Sequence, residues 1–184
     1  MDQTALTLKQ EQSSEKKGSG GALAIENLSD ETQYVCLMLA GGEYGVDINL
    51  VAEILKPTTE PTPVPQSPFF VEGVIDLRGD IIPIIDLKKR FGLEAVDENP
   101  PTRILVIKMA DILVGFLVDA VTEVLRVAKS AIQDAPGKIV GIDKEYIWGV
   151  TKRSPESHLI MLLDVERILK VENEDVTGER AEMT

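Results

Sequence analysis

Val51-Ala52-Glu53-Ile54-Leu55 returns 70 positions later as Val121-Thr122-Glu123-Val124-Leu125, and Gly45 returns as Gly115 at the same offset. Val71-Glu72-Gly73-Val74 is matched by Ile147-Trp148-Gly149-Val150 at 76. Ile81-Ile82-Pro83-Ile84-Ile85-Asp86-Leu87 is matched by Leu159-Ile160-Met161-Leu162-Leu163-Asp164-Val165 at 78. The offset drifts only where turns fall, and loops accept insertions that strands do not. Such a repeat restricts the chain to two copies of one unit. A unit of roughly 70 residues is marginal alone, so each copy is expected to bury a face against its twin.

The clearest part of the unit runs from Val71 to Leu93. It reads as two β-branched strands joined by a tight turn at Arg78-Gly79-Asp80, with Gly tolerating φ > 0 and Asp bonding its own backbone. A short basic helix follows, with Asp86 at the N-cap and Gly92 at the C-terminal stop. Elsewhere, strands are expected over Gln33–Leu39 and Tyr44–Ile48 around the Gly41-Gly42 turn. Asn49–Leu55 has helix-like spacing and fits a bent strand equally. Pro57–Pro68 holds five prolines in twelve residues, which excludes a sheet interior and makes it an extended surface connection or a polyproline II ligand. Asp97 to Pro101 marks a boundary. A hairpin over Arg103–Met109 and Ile112–Val118 follows, then a strand over Val121–Val127, a loop at Asp134–Gly137, a hairpin over Tyr146–Lys152 and His158–Leu163, and a helix over Val165–Val171. The fold expected is mainly β, with five strands and one short helix per unit, the units occupying about 32–98 and 99–171.

The net charge of −12 over 184 residues argues against nucleic-acid binding, which needs a concentrated basic surface. Residues 1–31 and 172–184 carry −3 and −4 of it and read as flexible acidic tails, leaving −5 on the body. Gly18-Ser19-Gly20-Gly21 follows no strand and opens no helix, so it is no phosphate loop. No apolar run approaches the ~20 residues that span a bilayer. The start lacks a signal-peptide pattern, and a single cysteine, Cys36, suits a reducing cytosol. One Cys and one His (His158) cannot build a zinc set, and no catalytic motif occurs. Asp86 and Asp164 read as helix caps. No cofactor is expected, and binding is a better class than catalysis.

The same segments resemble the CheW family of chemotaxis coupling proteins over most of residues 32–171. The matching motifs are Glu43-Tyr44-Gly45-Val46-Asp47-Ile48, Val51-x-Glu53-Ile54, Gly73-Val74-Ile75-Asp76-Leu77-Arg78-Gly79, Ile82-Pro83-Ile84-Ile85-Asp86-Leu87, Gly115-Phe116-Leu117-Val118-Asp119 and Val121-x-Glu123-Val124-Leu125. The resemblance implies two SH3-like five-stranded barrels side by side. It further implies a cytoplasmic, non-enzymatic scaffold joining chemoreceptor tips to the regulatory domain of the histidine kinase CheA, with further CheW copies as partners in rings. A coupler of a related twitching or gliding system fits the same motifs. The long N-terminal tail and the proline-rich connection depart from the family pattern. With neither receiver nor kinase domain in the chain as given, a stand-alone coupler is expected.

On that implication, Ile48, Val51, Glu53, Arg78, Val118 and Val121 are the receptor-binding candidates. They would line a groove between barrels where a receptor helix is held by apolar anchors and a polar rim. Gly73, Tyr146, Trp148 and Gly149 are the kinase-binding candidates. Two other classes make distinct expectations: a ligand-binding double barrel requires an enclosed polar cavity, and a hydrolase requires a free carboxylate at Asp86 or Asp164.

Overall fold

The computed structural model describes residues 30–94, 96, 100–137, 139 and 141–170. Its strands are β1 (Glu31–Leu39), β2 (Gly42–Asp47), β3 (Val51–Leu55), β4 (Val71–Leu77), β5 (Asp80–Asp86), β6 (Arg103–Met109), β7 (Ile112–Val118), β8 (Ala120–Ala128), β9 (Ile147–Lys152) and β10 (Leu159–Leu163). Helices α1 (Leu87–Phe91) and α2 (Val165–Leu169) end the two halves. The acidic tails expected at 1–31 and 172–184 fall outside the described residues, apart from Asp30 and Glu31, and Glu31 already belongs to β1. Val171 and the boundary residues Asp97, Glu98 and Asn99 lie outside as well.

The strands form two five-stranded sheets, in the orders β8-β1-β2-β10-β9 and β3-β6-β7-β5-β4. These are the two expected SH3-like units, here called barrel A and barrel B. Their composition corrects the expected boundary. Units at about 32–98 and 99–171 would each form one barrel, whereas each barrel takes two strands from one half and three from the other. Reading each half as strands one to five, both sheets have the order three-one-two-five-four, with strands three, four and five exchanged. The halves are therefore related by a pseudo-two-fold operation.

Local detail repeats as faithfully as strand order. The β1–β8 ladder slips between Cys36 and Leu37, leaving Thr122 as the bulge residue, and the β3–β6 ladder slips at Ala52, its counterpart. The β4–β5 ladder bulges at Glu72 and the β9–β10 ladder at Trp148, again counterparts. The first hairpin of each half turns on an alanine at positive φ, Ala40 (47°) and Ala110 (51°).

Burial explains why β1 and β6 read as continuous apolar runs. A strand buried on both faces has no polar side to show. Tyr34 and Cys36 point into barrel A with Val127, Ile160 and Leu162. Their counterparts Ile104 and Val106 point into barrel B with Ile82 and Ile84. The residues between them, Val35 and Leu37, Leu105 and Ile107, enter a larger central core shared by both barrels and both helices. Side chains thus fill the barrel interiors.

The Val71–Leu93 unit forms as expected, with one change of partner. Arg78 (φ 55°) and Gly79 (φ 94°) are the two central turn residues, the positive-φ pair of a type I′ hairpin. The aspartate serving the turn is Asp76, whose Oδ1 accepts from the Gly79 N–H at 2.8 Å, rather than Asp80. Asp86 accepts from the backbone N–H groups of Lys88 (2.8 Å) and Lys89 (3.2 Å), and Asp164 from that of Arg167 (3.1 Å). Both carboxylates are helix caps. Asp86→Ala is expected to lower stability by about 1–2 kcal/mol and the half-exposed Asp164→Ala by less, read from denaturant midpoints.

Asn49–Leu55 divides between its two readings. Ile48–Leu50 is a single 3-10 turn capped by Asp47, and Val51–Leu55 is strand. Between β3 and β4 the proline-rich chain is extended and mostly exposed, but Gln66 sits at φ 60°, which interrupts polyproline II geometry. The segment is tied down at Thr62, which exchanges two backbone hydrogen bonds with Val74, at 2.8 and 2.9 Å. Gln133 does the same with Val150 in the other half, at 2.9 and 2.8 Å. These straps cover the free edges of β4 and β9.

Candidate functional site

The chain crosses between barrels at two matched places: β2 passes to β3 through Ile48–Leu50, and β7 to β8 through Asp119 alone. Asp119 holds this junction. Its Oδ2 accepts from the Ala40 N–H at 2.8 Å, and its Oδ1 pairs with Lys88 Nζ of α1 at 2.6 Å. Ile48, Val51 and Val121 are half-buried here against the central core. Val118 is 1% exposed, so its nomination as a contact residue is corrected: it supports the surface from beneath.

Two nominated residues meet directly. Arg78 donates through both terminal nitrogens to the two Glu53 oxygens, each at 3.0 Å. The arginine is rooted in a two-residue turn and the glutamate in edge strand β3, so the pair joins the β4–β5 hairpin tip to the opposite end of sheet B. The Arg78 side chain stays 76% exposed.

The second nominated set is divided. Gly73 lies in β4 of barrel B; Trp148 and Gly149 lie in β9 of barrel A, with Tyr146 just before it. Trp148 is 47% exposed, with Tyr34 at 6.4 Å between ring centroids. Tyr146 is half-buried between Phe91, 5.2 Å away, and the Arg90 guanidinium, 5.1 Å from its ring. Gly73 and Gly149 are buried under the straps. A Cβ on Gly73 would stand 2.2 Å from the Thr62 carbonyl oxygen, and one on Gly149 would stand 2.9 Å from Ile132 Cγ2. Both glycines are where the chain's own backbone crosses closely, which corrects their nomination as partner contacts.

Three further features carry no obvious mark in the sequence. Arg153 Nη2 pairs with Glu123 at 2.5 Å and also with Glu43, whose hydrogen bond is the main cause holding this guanidinium above its ordinary pKa. Arg90 is buried over the Phe70 ring at 4.5 Å and donates to the Ile168 carbonyl (3.2 Å) and the Lys170 carbonyl (2.6 Å), tying α1 to the end of α2. Cys36 is buried, and desolvation first, then Glu43 and Glu123, pushes its thiol up to about 11. It is protonated and unreactive at neutral pH. Among the described residues, no group of three His, Cys, Asp or Glu could hold a metal ion, and no helix is long and apolar enough to cross a membrane.

The family described as the CheW-like domain matches residues 33–173. The chemotaxis protein CheW of Helicobacter pylori is 33% identical over 156 residues, covering 85% of this chain and 92% of that protein. The chemotaxis protein CheW of Klebsiella aerogenes is 32% identical over 155 residues, covering 83% and 92%. The crystal structure of the scaffolding protein TtCheW from Thermoanaerobacter tengcongensis matches with a TM-score of 0.68 at 33% identity, over 78% of this chain and 91% of that one.

Proposed function

The chain belongs to the CheW-like domain family, and from that premise we propose that it is a non-enzymatic adaptor coupling the cytoplasmic tips of chemoreceptors to the histidine kinase CheA. It works in the cytoplasm and reaches the membrane only through the receptors it holds. The observation that carries the receptor half is the bidentate Arg78–Glu53 pair on strand β3, which begins at the half-buried Val51; Ile48 and Val121 pack against the same central core as Val51. Apolar anchors with a fixed polar group at their rim suit a helix laid across the barrels. The kinase half rests on Trp148, a large exposed aromatic on a rigid strand and the type of residue that dominates interface energetics, with Tyr146 nearby. Gly149 serves that surface by letting the strap cross β9 closely.

Reconstitution tests the proposal: purified CheA and a receptor tip fragment are assayed for autophosphorylation with and without this chain. Receptor-dependent control of the kinase only when the chain is present is the expected result. No binding to either partner overturns it. Arg78→Ala separates coupling from folding. An exposed ion pair contributes little, so stability should change by less than about 1 kcal/mol. Docking a helix over the pair removes water, so loss of the charge-assisted bonds should weaken receptor binding by about 1.5–3 kcal/mol. Receptor affinity equal to the parent's would remove Arg78 from the site.

A further inference from the structure

Helices α1 and α2 hold equivalent places in the repeat, yet they make different contacts. Among the described residues, the ion pairs of α2 stay at its own turns: Arg167 with Asp164, and Lys170 with Glu166. In α1, four successive residues reach other parts of the fold. Lys88 Nζ pairs at 2.6 Å with Asp119, in the crossover that leads into β8. Lys89 pairs with Glu72, the bulge residue of β4. Arg90 lies over the Phe70 and Tyr146 rings and donates to the Ile168 and Lys170 carbonyls. Phe91 packs against Tyr44 of β2 and against Tyr146.

Two of these contacts bury charge. Asp119 Oδ1 and Glu72 Oε1 are closed off from solvent, and each faces a lysine of α1. A carboxylate stripped of water is unfavourable unless it is paired. The repeat shows that the fold does not require this arrangement. At the positions equivalent to Lys88, Lys89 and Arg90, α2 carries Glu166, Arg167 and Ile168. The equivalent of Asp119 is Asn49, whose side chain bonds to Asp47 two residues back. A helix and a crossover form at the matched places without the lysine–aspartate clasp.

We propose that α1 is the relay between the receptor and kinase surfaces, taking its input at the Lys88–Asp119 clasp and giving its output where Phe91 and Arg90 meet Tyr146. This rests on the coupling reading above and adds the means of regulation to it. Asp119 immediately precedes β8, two residues before Val121, and Tyr146 leads directly into β9 and Trp148. The helix has five residues and is fixed at both ends, by the Asp86 cap and by Gly92 in the left-handed region. It therefore moves as one piece. Separating a buried ion pair leaves an uncompensated charge, so a displaced crossover carries the helix with it. Small rigid shifts of packed helices are an established means of switching an interface. Lys88, Asp119 and Phe91 are positioning residues in this scheme, setting how one partner responds to the other.

The double variant Lys88→Met/Asp119→Asn removes the clasp without orphaning a charge, and the new amide can still accept from the Ala40 N–H. Phe91→Leu loosens the output end independently, and Arg167→Met on α2 is the control. Each full-length chain is titrated calorimetrically with a chemoreceptor tip fragment and with CheA, then assayed for receptor control of CheA autophosphorylation. Both affinities are expected to stay close to the parent's in the double variant and in Phe91→Leu. The change in kinase rate that the receptor produces is expected to fall about tenfold in both, and to persist in Arg167→Met. Parent-like control by either folded variant overturns the relay while leaving coupling in place. Loss of affinity for either partner, in step with loss of control, also overturns it, since the residues would then be shaping a docking surface. A parent chain that binds neither partner overturns the coupling reading and the relay together.

Discussion

Produced separately, residues 30–98 and residues 99–170 are each expected to be unfolded, and mixing them is expected to restore a cooperatively melting protein. Alone, the first fragment would have its β1–β2 hairpin without β8 or β10, and β3 without β6. The second would have β6–β7 without β3 or β5, and β8 without β1. A two-stranded hairpin is marginal in water even with good turns. The central core is divided as well, since Val35, Leu37 and Phe70 come from one fragment and Phe116, Val118 and Ile168 from the other. Circular dichroism and thermal melts of each fragment and of the equimolar mixture provide the check. A sharp melt from either fragment alone would contradict the exchange of strands.

Gly73→Ala is expected to be the most damaging single methyl group in the chain. Gly73 has φ 144°, where residues with a Cβ are rarely found. The added carbon would stand 2.2 Å from the Thr62 carbonyl oxygen and 2.6 Å from its carbon, and both are backbone atoms with no rotamer to change. Relief requires lifting the strap, which breaks both Thr62–Val74 hydrogen bonds. Strain plus two lost bonds amounts to about 3–5 kcal/mol. Gly149→Ala is the internal control. Its Cβ would meet a movable methyl, Ile132 Cγ2 at 2.9 Å, with the Gln133 carbonyl at 3.2 Å, so a loss of about 1–2 kcal/mol is expected. Urea midpoints for the two variants give the comparison. A Gly73→Ala midpoint at the parent's value would mean that the strap is not fixed there. An aspartate at 73 adds a buried charge to the same clash, so its expected effect is loss of the fold.

The stretch from Val71 to Leu93 was legible residue by residue because its local signals agree. Gly at a turn, Asp before a helix and Gly after it each act within four residues. The turn aspartate was misread only because Asp76 and Asp80 flank Gly79 on either side, and sequence alone does not say which carboxylate reaches back. The exchange of strands has no local signature. Strands β3 and β8 carry the same Val-x-Glu pattern with the same bulge, so either could lie beside β1 with similar contacts. Connection length decides. To return beside β1 on the side away from β2, the chain must cross two strand spacings, about 10 Å. A three-residue 3-10 turn rises only about 6 Å, and Asp119 alone reaches less. The Arg78–Glu53 pair was half legible: both residues stood out, but their contact across 25 positions did not. Arg153 carries no mark in the sequence because it sits where the repeat gains two residues.

The pseudo-two-fold relation also bears on ancestry and assembly. A homodimer in which each chain lends its last three strands to its neighbour would show this same sheet order in both barrels, and joining its chains through the segment before β6 yields the present molecule. While the chains are identical, the two faces of such a dimer are identical too, and identical faces close on themselves. Fusion lets them diverge, and here they have: Arg90 stands opposite Ile168, Glu72 opposite Trp148, and Leu113 opposite Glu43. The molecule has thereby acquired a polarity, a left end unlike its right, so a partner suited to one end is not automatically suited to the other.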